Sequence, residues 1–599
     1  MNTIDLISVQ EAGTIAGLFA GRVKRTPTGK AYRYYQDSSQ SWIDCSWADV
    51  ADQAARWQQA LRQEELEAGD RIAIMLKNSL EWVLFDLAAN GLGLVTVPLY
   101  VNDRPENLAH ILQSTESKLL LTDGLEQWQG FEQVAEKLGS IIRVVTMQTV
   151  CEVDCDPRLR QLDDWLPQSG DFTYQVSPAD SDSLATIVFT SGTTGLPKGV
   201  MLSHRNMLEN AAAGTTQVPV AREDQFLSFL PLSHMLERTV GYYIPIMAGA
   251  CVAFVRSIDL LAEDLQEVKP TILITVPRIF ERIYNKMTLK LADESWAARK
   301  IFQLAVKSGW HHFQYHRNRQ PWAIQLLIWP LLKTLVGTKL SQRLGGRLRL
   351  AICGGAPLSP PIAETFIGLG LDILQGYGLT ETSPIISVNT PEDNLPLSVG
   401  RPLPGIQVKI GEDQELLTKG PNVMLGYWRQ TDSIVDAEGW LHTGDQARID
   451  DHGRIFIIGR IKDIIVLSSG EKVPPEDLQM DIVVDPLFEQ AIVIGENRPF
   501  LTAIVVLNPS QWKSLANKLG IDPEDSDLLN SPQVQDFVLK KIAYRLKTFP
   551  GYAKVHRVHV QLKPWSIDSG LITASLKVRR EKIAEQFSEE IEEIGRAHV

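Results

Sequence analysis

Ten residues, running from Thr190 to Gly199, hold hydroxyls, glycines and a lysine in a spacing that suits one kind of chemistry. Gly192, Gly195 and Gly199 let backbone N–H groups approach an oxyanion. Thr190, Ser191, Thr193 and Thr194 donate hydrogen bonds, and Lys198 supplies a point charge. The stretch is therefore a phosphate cradle. It is not a Walker A loop, because no Gly directly precedes Lys198 and no Ser or Thr directly follows it. The dinucleotide spacing G-x-G-x-x-G is absent too. A β-rich run, Ala185 to Phe189, leads into the loop, and Ser203 is placed to N-cap a helix after it.

The loop resembles the signature of adenylate-forming enzymes, the AMP-binding superfamily of acyl-CoA synthetases, firefly luciferase and nonribosomal adenylation domains. Further motifs follow in that family's order, and their roles are implied by the resemblance. In Phe229-Leu-Pro-Leu-Ser-His234, His234 would face the acyl carboxylate. In Cys353-Gly-Gly-Ala-Pro357, the small residues Gly354, Gly355 and Ala356 would lie against adenine. In Gln375-Gly-Tyr-Gly-Leu-Thr-Glu-Thr382, which includes Gly378, Tyr377 would pack on adenine and Thr380 would bond the α-phosphate. Glu381 would bind Mg²⁺, a hard cation that takes oxygen ligands. Asp445, closing Trp440-Leu-His-Thr-Gly-Asp445 in a turn after a strand, would accept from both ribose hydroxyls. Arg460 would reach ribose or phosphate, and Lys462 stands at the hinge position. Gly470, within Ser468 to Glu476, would leave room for the pantetheine arm of CoA. Lys577 matches the adenylation lysine, with Thr573 also retained, although Ala574 stands where long-chain members usually carry Pro. The resemblance spans roughly residues 30 to 585.

The implied mechanism is mostly positioning and electrostatics, because a carboxylate must attack a phosphoryl centre that is itself negative. Mg²⁺ on Glu381 and the phosphate loop would neutralise the departing pyrophosphate of ATP. Lys577 would bridge the attacking carboxylate and the α-phosphate. A thiol then takes the acyl group from the adenylate. For that step Lys577 must leave, by rotation of a small domain at Lys462.

These residues need rigid carriers. Arg71–Met75, Lys118–Thr122, Ile142–Thr146, Ala185–Phe189 and Thr271–Thr275 are continuous apolar runs separated by helical patterns, which predicts parallel sheets covered on both faces. Past about residue 400, short strands and Gly-centred turns take over. Asp450-Asp-His-Gly453 predicts a hairpin. The fold class is α/β: a large N-terminal domain of parallel and mixed sheets covered by helices, plus a distorted β-barrel-like part, and a small mobile α+β domain. The expected boundary divides 1–459 from 460–599.

The bulk numbers narrow the class further. With 599 residues, 44% hydrophobic and 22% charged, the chain is globular and long enough for two to four domains. Five cysteines make no disulfide framework, which predicts a reducing cytoplasm, and Cys151 and Cys155 have no second pair at zinc-ligand spacing. The N-terminus lacks signal-peptide order, and the apolar stretch Trp322–Leu332 is far short of a membrane span. A net charge of −13 argues against nucleic acid. That average hides residues 285–349, where 12 Lys+Arg meet 2 Asp+Glu, a net of +10 that leaves −23 for the rest. Interleaved with Trp296, Trp310, Trp322 and Trp329, these cations suit an anionic bilayer on the inner face of a membrane, or an acidic acyl carrier protein. A helical hairpin with a solvated basic face is the plain alternative. The segment resembles that of bacterial long-chain acyl-CoA synthetases, so the expected substrate is a long-chain fatty acid. The leading expectation is a long-chain fatty acid:CoA ligase, with an acyl-acyl carrier protein synthetase, sharing the first step and using a protein thiol acceptor, as the alternative. Nothing in the chain supports a luciferase-like oxidation, and the retained Lys198, Glu381, Asp445 and Lys577 argue against an inert lipid-binding scaffold. A nonribosomal module is disfavoured because no carrier domain follows.

Overall fold

The computed structural model describes residues 4–131, 138–148, 156–190, 196–431, 433–525, 528–573 and 577–596. Two large mixed sheets carry most of it. The eight-stranded sheet runs in the order Gly426–Tyr427, Lys198–Ser203, Leu184–Thr190, Val95–Pro98, Arg71–Met75, Leu119–Thr122, Arg143–Thr146 and Leu159–Gln161. Its centre is parallel, as the apolar runs predict. Leu184–Thr190 then pairs antiparallel with Lys198–Ser203, so the expected phosphate loop connects two neighbouring strands instead of crossing over. The nine-stranded sheet places Ile272–Thr275, Leu350–Cys353 and Ile373–Gly378 side by side and parallel. The loops that follow these last two strands carry Gly354 and Glu381, so both emerge at the same sheet end.

Local sequence explains the helices that pack on these sheets. Ser203 caps His204–Gln217 as expected: its hydroxyl accepts from Asn206 N–H, and the Asn206 side chain accepts from Ser203 N–H. Ser79 caps Leu80–Gly91, a helix buried at every position but Glu81, in a core that draws on both sheets.

Gln407–Ile410, Glu415–Lys419, Leu441–Ile449 and Ile455–Arg460 form a four-stranded antiparallel sheet. This is the part expected to resemble a barrel. It is open, and no closed barrel occurs among the described residues, because its edge strands Gln407–Ile410 and Ile455–Arg460 do not pair with each other. Asp450–Gly453 makes the expected hairpin turn within it. Beyond it lie a small hairpin, Ile465–Val466 with Lys472–Val473, and a three-stranded sheet of Phe488–Ile494, Leu501–Leu507 and Val555–Gln561. That sheet has its own cores, one around Trp512 and Val538 and one around Trp565 and Ile583. Residues 285–349 are mostly helical, with Trp296–His316 and Gln325–Leu332 packed on each other. No helix among the described residues is long and apolar enough to cross a membrane.

Candidate functional site

The two strands that flank the expected phosphate loop pair up to its mouth. Thr190 and Lys198 face each other across the antiparallel pair, with Thr190 Oγ1 donating to the Lys198 carbonyl at 3.5 Å. Ser191, Gly192, Thr193, Thr194 and Gly195 lie outside the described residues. The Lys198 ammonium stands 5.1 Å from the centre of the Tyr427 ring, and the Tyr427 hydroxyl donates to Glu381 Oε1 at 2.8 Å. Tyr427 is there because Gly426–Tyr427 pairs with the edge of Lys198–Ser203. One phenol thus ties the cation of one sheet to the carboxylate of the other.

A second cluster sits on the four-stranded sheet. Tyr377 ends the strand Ile373–Gly378 and donates its hydroxyl to Asp445 Oδ2 at 2.5 Å. Asp445 lies within the strand Leu441–Ile449, not in a turn, and opposes Arg460 on the neighbouring strand. The Arg460 Nε to Asp445 Oδ1 distance is 3.2 Å. Burial raises the Asp445 pKa, while Arg460 and the Tyr377 hydroxyl pull it down. Gly378 is required by space, since a Cβ there would stand 1.8 Å from the Pro384 carbonyl oxygen.

His234 caps a short turn of helix, and its Nδ1 accepts from Leu236 N–H at 3.2 Å. The proton of the neutral ring therefore sits on Nε2. Burial, with the charge of Lys577 second, lowers its pKa to about 4, so His234 is a neutral donor at physiological pH.

Lys577 arrives from the other end of the chain on a hairpin. Its N–H donates to Thr573 Oγ1 at 3.0 Å, its carbonyl accepts from Thr573 N–H at 2.8 Å, and Ile572 pairs with Val578. Much of the side chain meets solvent, yet its ammonium is closely surrounded. The crowding at the charge decides its chemistry: burial and then Arg460 lower the pKa, against Asp445, Glu476 and Glu381, which raise it. The charges of Arg460, Asp445 and Glu381 thus act on Lys577, and that of Lys577 on His234, although up to 343 positions separate them.

The remaining expected residues are less tightly drawn in. Gly354 approaches Leu236, a Cβ meeting it at 3.3 Å, and Gly355 takes a left-handed φ of +82°. Ala356 is exposed and Thr380 half-buried beside Glu381. Lys462 is exposed in the short turn Ile461–Asp463. Gly470 turns a hairpin with φ +93° and open space around it. Sequence reasoning missed Tyr427 as a partner of Glu381, and Glu476 and Asp463 as members of the charge cluster. Glu476 has its pKa raised by burial and then by Asp463 and Asp445. Tyr427 lies in the apolar run Val423–Trp428, which reads as core and gives no signal of a site residue.

Residues 19–428 match the AMP-binding enzyme family, and residues 462–597 match the AMP-binding enzyme C-terminal domain. The chain belongs to the AMP-binding enzyme family. It is 30% identical over 562 residues to the long-chain-fatty-acid–CoA ligase FadD15 of Mycobacterium bovis, covering 92% of each chain. It is 30% identical over 611 residues to human long-chain-fatty-acid–CoA ligase 6, covering 92% of this chain and 82% of that one. The fold matches the anthranilate CoA ligase AuaEII in complex with anthranoyl-AMP, with a TM-score of 0.72, 18% identity, and coverage of 96% and 98%.

Proposed function

We propose that this chain is a long-chain fatty acid:CoA ligase, joining the acid to AMP with ATP and then passing the acyl group to CoA. The observation that carries this reading is the meeting of Lys577 with Asp445, Glu381 and His234. Relatives named as long-chain-fatty-acid–CoA ligases over more than nine-tenths of the chain support the acid and the acceptor. Asp445 holds ribose, Tyr377 and the Gly354–Ala356 turn flank adenine, and Thr380 with the Thr190–Lys198 loop takes the phosphates. Neutral His234 offers Nε2–H to the acyl carboxylate, which an imidazolium would bind too tightly to release for attack. Lys577 offsets the repulsion between carboxylate and α-phosphate. The domain boundary is assigned between residues 459 and 460, with Lys462 as hinge and Gly470 beside the incoming pantetheine.

Glu381 fits a Mg²⁺ ligand: Tyr427 engages Oε1, which leaves the other oxygen for a hard cation. No cluster of three His, Cys, Asp or Glu that could hold a metal occurs among the described residues. Triphosphate and water oxygens would therefore complete the shell, and the ion would neutralise the pyrophosphate. The test offers palmitate, ATP and Mg²⁺ with CoA or acyl carrier protein in separate reactions. Palmitoyl-CoA is expected, whereas product only with carrier protein would reassign the acceptor. In addition, Lys577→Ala should lower pyrophosphate exchange about 100-fold or more while sparing thioester formation from supplied palmitoyl-AMP.

The acid is collected, on this reading, from an anionic membrane surface. Ile324, Leu327, Ile328, Leu331 and Leu335 recur at helical spacing and are all exposed, Ile324 by 71% and Leu327 by 68%. The other side, Trp329, Leu332 and Leu340, is buried against the body. No Asp or Glu occurs between Ser295 and Ala363. Lys300, Lys307, Lys339, Arg343 and Arg347 are exposed and form no ion pair among the described residues. An outward apolar ridge flanked by free cations suits headgroups above acyl chains. Co-sedimentation with phosphatidylglycerol vesicles should fall about tenfold in Leu327→Gln/Leu331→Gln. Unchanged sedimentation would remove this surface from the reading.

A further inference from the structure

Arg104 and Gly570 come from opposite ends of the fold and touch. Arg104 precedes the helix Pro105–Thr115, just past the strand Val95–Pro98 of the eight-stranded sheet. Its turn is fixed by Asp103, whose Oδ1 accepts from Arg104 N–H and from the Asn107 side chain, both at 2.8 Å. Gly570 belongs to the smaller part and is buried, with a left-handed φ of +73°. A Cβ at Gly570 would stand 1.6 Å from one Arg104 Nη and 2.7 Å from its Cζ. The guanidinium therefore lies directly on the glycine backbone, and a Cβ there would have to displace it. Arg104 forms no ion pair among the described residues, so this packing is its principal engagement. A flat, rigid cation is suited to it, and a lysine is not.

Gly570 stands at the base of the hairpin whose other strand carries Lys577. Arg579 N–H donates to the Leu571 carbonyl at 2.8 Å, Ile572 pairs with Val578, and Thr573 pairs with Lys577. Leu571 and Ile572 are anchored in the core around Trp565 and Ile583. Gly570 and Lys577 are thus tied into one ladder, and holding its base sets where the Lys577 ammonium lies. We propose that Arg104 is a positioning residue that latches the smaller domain in the arrangement that brings Lys577 to the site. This rests on the reading that Lys577 serves adenylation and withdraws for thioester formation. The latch then favours the first step alone, since rotation breaks the contact.

The test compares palmitate-dependent ATP–pyrophosphate exchange with thioester formation from palmitoyl-AMP and CoA. Arg104→Ala should lower the exchange kcat about 10- to 100-fold, as a slight misplacement of a catalytic group does. Its thioester rate should stay within about twofold of the unaltered enzyme. Gly570→Ala should give the same split, because its methyl displaces the guanidinium. The double variant should be no worse than Gly570→Ala, as expected when two changes remove one contact. Arg104→Lys should not restore exchange. Equal loss in both half-reactions, or no loss in either, would overturn the latch while leaving the ligase reading intact. Absence of exchange in the unaltered enzyme would overturn both.

Discussion

Two Arg–Asp pairs in this molecule use the same residue types for opposite ends. Arg238 and Asp86 are wholly buried, both at 0% exposure. Asp86 accepts from Arg238, from Thr96 Oγ1 and from the Tyr242 hydroxyl, while Arg238 also donates to Thr186 and Thr96 at 2.8 Å. Trp82 and Tyr243 cover the guanidinium. Nearly every polar atom is engaged, so the pair has nothing left for a ligand and joins helix to sheet. Arg460 and Asp445 sit at 44% and 6% exposure, and among the described residues Tyr377 alone donates a hydrogen bond to the carboxylate. Lys577 and Glu476 crowd them with further charge. A nearly saturated pair is scaffold, whereas an unsaturated pair in a charged neighbourhood is a candidate site.

Breaking each pair should separate those roles. Asp86→Ala leaves a buried cation uncompensated and should cost about 3–5 kcal/mol of stability, read as a lower urea midpoint. Replacing both partners by apolar residues should recover much of that loss. Asp445→Ala should barely move the midpoint. It should instead raise KM for ATP by about 1.5–3 kcal/mol, the worth of hydrogen bonds to a charged group. If the nucleotide KM is unchanged and stability collapses, the two pairs have been assigned the wrong way round.

Glu237 sharpens the scaffold side through pH. It is buried, accepts from Ser228 Oγ at 2.6 Å, and has its pKa raised to about 8 by burial. Between an unfolded value near 4.5 and about 8 the native state holds a proton that the unfolded chain has lost. Stability should therefore fall as pH rises through that window, by at most about 1.4 kcal/mol per unit. Glu237→Gln should flatten this slope, so its advantage over the unaltered protein grows from pH 5 to pH 8 in urea unfolding. The smallest effect belongs to His234. Held neutral down to about pH 4, it should add no limb to the kcat/KM profile between pH 5.5 and 8. A limb near 6.5 that disappears in His234→Ala would contradict that geometry.

Much of this was legible along the chain. Arg71–Met75 is a strand to the residue, and the other apolar runs shift by a position or so, because continuous burial leaves a continuous apolar record. The cap at Ser203 and the turn at Asp450–Gly453 were readable for the same reason: their chemistry is local. Asp445 was misplaced into a turn because Thr443 and Gly444 look like turn residues, while pairing with Ile455–Arg460 extends the strand through them. Tyr427 was invisible as a site residue, since only its pairing with Lys198–Ser203 brings it to Glu381.

The sequence by itself determined the strands, the caps and the order of motifs that defines the family, all of which depend on neighbours a few positions apart. Tertiary structure alone decided which Arg–Asp pair is dry, which apolar ridge of 324–335 faces outward, and that Arg104 meets Gly570. Burial and charge crowding are set by atoms hundreds of residues away. The same two residue types can therefore be a strut in one place and a binding site in another.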